Sequence, residues 1–159
     1  LGMFTLVLFA LQGGKEHKEI SRNILEATRI NEMAMILGLS LLTMGNFLGG
    51  VWANESWGRY WGWDSKETWA LITILIYAAV LHVRLVKSLN SQFWFSIFAM
   101  WAYLSVIMTY FGVNFYLTGM HTYAAGEKVP VPSWLYAVLG VMCVLSLGAF
   151  FRRKFGRKL

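Results

Sequence analysis

Four stretches of this chain run without a formal charge: Met33 to Ala53, about Thr68 to Val83, Phe93 to about Leu117, and Trp134 to Phe151. Their lengths, about 16 to 25 residues, suit helices that cross a hydrocarbon layer of about 30 Å. Barrel strands would need only about 10 residues each, with strict apolar–polar alternation, and that alternation is missing. The pattern predicts an all-α integral membrane protein, a helical bundle with four complete transmembrane helices. A fifth apolar stretch, Leu1 to Gln12, is shorter than the ~20 residues a crossing needs. It reads as the end of a helix that begins upstream, so the chain is expected to be the C-terminal part of a longer polypeptide. It lacks the basic start and the cleavage site of a signal peptide.

The polar intervals set the remaining boundaries. Residues 13–32 hold four basic and four acidic side chains and are expected as a loop. Ile20, Ile24, Leu25 and Ile30 recur there at roughly helical spacing, which predicts some helix lying along the membrane surface. A Trp-rich segment occupies 54–69, a short turn surrounds Ser88 to Ser91, and a loop over 118–132 contains His121, Glu127, Lys128 and both prolines. The tail, 152–159, reads RRKFGRKL.

Composition reinforces this picture. The chain is 57% hydrophobic and only 14% charged, with mean hydropathy +0.52, whereas soluble domains are about 25% charged. The basic residues settle the orientation. Eleven of the 14 lie in 13–32, at Arg84 and Lys87, or in the tail; the opposite side has only Arg59, Lys66 and Lys128. By the positive-inside rule the first set is cytoplasmic. The Trp-rich segment and His121 then share the extracytoplasmic face. The net charge of +6 is a topology signal and does not mark a nucleic-acid surface. The expected surroundings are membrane lipids. No GxxxxGK[ST] is present, which argues against a P-loop ATPase. CxxC and CxxCH are also absent, and Cys143 stands alone in the last span, so thiol redox chemistry has no basis here.

The densest chemistry is WGRYWGWDSKETW, Trp57 to Trp69, with four of the eight tryptophans. Indole rings favour the membrane boundary, but an anchoring belt needs fewer of them. Gly58 and Gly62 let flat surfaces approach closely. The segment is expected to form a platform for a large planar ligand, built on Trp57, Trp61, Trp63, Asp64 and Trp69. Asp64 reads more simply as the cap of the next helix, with Glu67 three residues on. His121 follows the third span on the same face, and a neutral imidazole is a good axial ligand for haem iron. The alternative is an interfacial histidine solvated by headgroups. His82 ends the second span, about 20 Å from Trp69 along the axis at ~1.5 Å per residue. An ionisable group there is a functional candidate, or a histidine reaching the interface. His17, among charged neighbours, reads as solvated surface. Arg59 and Lys66 are placed to neutralise the propionates of such a ligand, or equally to pair with Glu55, Asp64 or lipid phosphate. Asn46 and Asn114 read as helix–helix hydrogen-bonding residues.

WGRYWGWDSKETWALITILIYAAVLHVRL resembles the WWD signature of the haem-handling membrane proteins of cytochrome c biogenesis. Within them it is most similar to the CcsA (ResC-like) proteins of the system II pathway, or the CcsA half of fused CcsBA synthases. The later GVNFYLTGMHTYA resembles the segment of that family carrying an extracytoplasmic haem histidine. The similarity covers about Leu39 to Phe151. It implies a cytochrome c synthase (haem lyase) in the bacterial inner membrane. Such a protein would carry haem b across the membrane, present it on the WWD platform and join it to the CxxCH thiols of apocytochrome c. His121 matches an external haem ligand, and His82 matches a transmembrane histidine of an inner haem site. The first external histidine of the pattern is absent. It is expected upstream, and the partner of His82 on a CcsB-like (ResB) portion or subunit. Two rivals stand beside this reading: a haem transporter or chaperone serving a separate ligase, as in the system I relatives, and a structural membrane subunit without haem.

Overall fold

A computed structural model describes residues 1–11, 17–117, 119 and 130–155. The described elements are helical: α1 (Gly2–Leu11), α2 (His17–Trp57), α3 (Ser65–His82), a 3-10 turn (Val83–Leu85), α4 (Gln92–Ile107), a π-helical turn (Met108–Gly112), α5 (Val113–Tyr116) and α6 (Ser133–Phe155). Four stretches are long and apolar enough to cross a membrane: Lys18–Trp57, Ser65–Leu85, Gln92–Tyr116 and Ser133–Phe155. The chain is therefore an all-α, multi-pass membrane protein. α1, at 10 residues, is the shorter apolar helix expected.

The largest departure from expectation is α2. The loop placed over 13–32 gives way, from His17 on, to the first turns of one 41-residue helix. Glycine and proline are both absent between His17 and Leu37, so nothing stops the helix. Ile24, Ala27, Thr28 and Asn31 form a buried stripe at helical spacing. Arg22 and Glu26 pair one turn apart on the exposed side at 3.8 Å. That stripe gives these turns a face to pack on, and they fold as helix continuous with the first span. The side chain of His17 lies outside the described residues.

The helices fall into two compact units. The first takes Leu1–Ala34, Val80–Trp101 and Val131–Leu159. Here α1 packs on α6, with Leu6 fully buried and the Arg152 Nε donating to the Ala10 carbonyl at 3.4 Å. Phe9 meets Phe93 edge-on, centroids 5.6 Å apart. Arg84, just past α3, donates to Glu32 Oε2 at 2.9 Å and lies over the Phe95 ring at 4.9 Å. The Trp101 indole donates to Ser146 at 3.1 Å, joining α4 to α6. Ser91 starts α4 by accepting the Trp94 N–H at 3.3 Å.

The second unit takes Met35–Ala79 and Ala102–Pro130. The π-helical turn of Met108–Gly112, unforeseen in the sequence, widens the helix at Thr109. The Thr109 hydroxyl lies 2.9 Å from that of Thr73. It also lies within donating distance of the Ser105 carbonyl at 2.8 Å and the Trp69 carbonyl at 3.2 Å. Such turns recur at functional sites. This one ties the end of the third span to the helix that begins at the Trp-rich segment.

Candidate functional site

The Trp-rich segment is a tight link between two helix ends. Gly58 stops α2 in the left-handed conformation, φ 72°, and donates to the Asn54 carbonyl at 2.9 Å. Glycine closes a helix this way because it has no Cβ to clash. α2 thus runs through Trp57, and the irregular link is only 58–64. α3 starts with a capping box. Asp64 Oδ2 accepts the Lys66 N–H at 3.3 Å, and Glu67 Oε2 accepts the Asp64 N–H at 3.2 Å. The expected capping role of Asp64 matches this geometry.

Tyr60 folds back onto α2. Its hydroxyl donates to the Phe47 carbonyl at 3.1 Å, and its ring covers Gly50, where a Cβ would sit 2.7 Å from Cζ. Only glycine lets the ring lie that close. Lys66 reaches across to α5 and donates to Asn114 Oδ1 at 3.2 Å. Asn114 therefore serves as an inter-helix acceptor, as expected, and Lys66 is directed at it.

A cleft of about 330 Å³ opens in this unit between α2 and the start of α3. It is lined by Gly45, Asn46, Gly49, Gly50, Trp52, Ala53, Trp61, Lys66, Glu67 and Ala70. The volume is within the range of ligand sites, roughly 300–1,000 Å³. Gly45 and Gly49 face open space there, so a flat molecule can reach the helix backbone. Trp52 and Trp61 supply aromatic walls, and Lys66 and Glu67 add opposite charges to the lining.

The aromatic side chains form pairs. Trp52 meets Trp57 edge-on at 5.2 Å, and Trp61 meets Trp63 edge-on at 5.9 Å and 88°. Trp63 is 72% exposed and holds φ 55°, a left-handed conformation that costs a bulky residue about 1–3 kcal/mol. Trp69 is half-buried.

The structure brings Trp57, Trp61, Trp63, Asp64 and Trp69 into one unit. His82 belongs to the other unit, exposed at the end of α3. His121 lies outside the described residues. Gly119, two positions before it in sequence, is described and packs against Asp64: a Cβ there would collide with Asp64 Oδ1. Sequence reasoning missed Trp52, Glu67 and Tyr60 as parts of the site. Gly45, Gly49 and Trp52, spaced by four and three residues, share a helix face, and that periodicity carried the signal for Trp52. Glu67 was legible only as the capping partner of Asp64, and Tyr60 had no signal beyond proximity.

Comparison with known proteins places these residues in context. A family model described as cytochrome C assembly protein matches residues 2–121. Protein NrfI of Wolinella succinogenes is 51% identical over 155 residues, covering 96% of this chain and 17% of the relative. The cytochrome c biogenesis protein CcsA of Pyropia yezoensis is 46% identical over 115 residues, 67% of this chain and 36% of the relative. The CcsA of Gloeobacter violaceus is 48% identical over 87 residues, 55% of this chain and 25% of the relative. The chain thus spans 17% to 36% of the length of these relatives.

Proposed function

We propose a function for this chain from one premise: it belongs to the cytochrome c assembly protein family. In our reading it is the membrane core of a system II cytochrome c synthase. The complete protein carries haem b across the bacterial inner membrane, holds it on the external Trp-rich surface and joins it to the CxxCH thiols of apocytochrome c. Haem is the substrate. His121 and His82 are its axial ligands at the outer and inner levels. Trp57, Trp61, Trp63, Asp64 and Trp69 form the external platform, while the tail is cytoplasmic. A CcsB-like (ResB) portion supplies the partner of His82.

The observation that carries this reading is the packing of Gly119 against Asp64, because His121 follows Gly119 by two residues in sequence. An imidazole ligand and an indole-walled cleft are the two features a metalloporphyrin site needs. The iron takes the nitrogen ligand, and the indole faces take the macrocycle. Thioether formation then adds each S–H across a vinyl C=C, the sulfur to one carbon and the proton to the other, with no net electron transfer. Holding haem and CxxCH together supplies much of the barrier reduction, since aligned intramolecular reactions reach effective molarities of about 10⁵–10⁸ M.

The test is the visible spectrum of the full protein purified from membranes, with His121→Ala and His82→Ala alongside. Haem loss is expected in both. Retention in both removes the ligand assignment, and a haem-free wild type favours a structural subunit. Thioether formation on a CxxCH peptide separates a synthase from a haem transporter serving another ligase.

A further inference from the structure

We propose that Glu67 is a positioning residue of the platform, whose carboxylate locks the backbone around Trp63 and so presents that indole outward. This rests on the reading in which Trp63 meets haem.

Trp63 sits at φ 55°, where L side chains are disfavoured. Burial does not hold it there, since the side chain is 72% exposed. Its ring touches Trp61 only edge-on. What holds it is visible in the N–H groups of the residues on either side. Gly62 N–H donates to Glu67 Oε2 at 2.8 Å, and Asp64 N–H donates to the same oxygen at 3.2 Å. Successive N–H groups converging around a left-handed residue make an anion-binding concavity. Here a carboxylate of the chain itself fills it.

A capping box needs only the Asp64 bond. The Gly62 bond is the shorter of the two and plays no part in capping α3. It instead clamps the residue before Trp63 to the first turn of the helix after it. An exposed aromatic fixed in place before its ligand arrives avoids the ordering cost of binding. Glu67 also lines the cleft, so the clamp and the ligand surface are contiguous.

Because both bonds end on one oxygen, the experiment can separate geometry from charge. Haem is titrated into the full haem-depleted protein in detergent, reading the Soret band, for wild type, Glu67→Gln, Glu67→Asp and Glu67→Ala. Helix content is followed by circular dichroism. The Gln amide oxygen can accept both N–H groups, so Glu67→Gln keeps affinity within about twofold. Glu67→Ala and the shorter Glu67→Asp bind roughly tenfold more weakly, about 1.4 kcal/mol, with a shifted Soret band and unchanged helix content. Wild-type affinity and spectrum in Glu67→Asp overturn the proposal. So does a Glu67→Gln defect as deep as that of Glu67→Asp, because charge would then be the cause. If Glu67→Ala does not accumulate, the Gln–Asp pair decides alone. A wild type that takes up no haem ends the functional reading and this proposal together, whereas unaffected Glu67 variants beside a haem-binding wild type end only this one.

Discussion

Gly49 and Gly50 are neighbours on α2, yet adding one methyl group to each should have opposite effects on stability. A Cβ at Gly49 meets nothing within 4 Å. Alanine there removes the helix-interior penalty of glycine, so Gly49→Ala should stabilise the fold by about 0.5–1 kcal/mol. At Gly50 the same gain is outweighed. The new Cβ would lie 2.7 to 3.0 Å from three atoms of the Tyr60 ring, and the ring must leave, breaking its hydrogen bond to the Phe47 carbonyl. Overpacking costs about 1–3 kcal/mol and a lost hydrogen bond about 0.5–1.5, leaving Gly50→Ala on the order of 2 kcal/mol less stable than wild type. At roughly 2–4 °C per kcal/mol for a chain of this size, thermal unfolding in detergent separates the two variants clearly. Function should run against stability at Gly49, whose open face lines the cleft. Gly49→Ala is expected to unfold at higher temperature while binding haem more weakly. A Gly50→Ala variant as stable as Gly49→Ala would refute the account of Tyr60 as a close lid on α2.

Other consequences are open to direct measurement. Thr109→Val removes the hydroxyl shared among Thr73, Ser105 and Trp69 and should cost about 1–3 kcal/mol of thermal stability, because it takes the partner from the buried Thr73 hydroxyl. Trp63→Asn should raise the stability of the haem-free protein by about 1 kcal/mol, since asparagine tolerates the left-handed backbone and little burial is lost, while lowering haem affinity. A double-mutant cycle on Arg84 and Glu32, about one-third exposed and 2.9 Å apart, should give a coupling of about 1 kcal/mol. The same cycle on the exposed pair Arg22 and Glu26 should give about 0.3 kcal/mol. Equal couplings would mean that the shorter, less exposed geometry of the Arg84–Glu32 pair adds nothing.

Much of the architecture follows from one-dimensional pattern. Spans appear where charge is excluded over a bilayer's length, and this is a property of the chain before it folds. Asp64 and Glu67 announced the start of α3, because a capping box is a contact between residues three apart. Gly58, read from the sequence only as a close-approach glycine, proves to end α2 four residues beyond the expected limit of the span. What tertiary structure decided was everything requiring partners distant in sequence. Whether residues 17–32 lie flat or continue α2 depended on a stripe from Ile24 to Asn31 finding something to pack on. The choice of Asn114 as the partner of Lys66, 48 positions away, depended on how α5 meets α3. The left-handed turn at Trp63 is a separate case, since Gly62, Asp64 and Glu67 are near in sequence and only the folded geometry brings them together. No tryptophan adopts that backbone by its own preference, so only the folded surroundings, with two N–H groups converging on Glu67, could impose it.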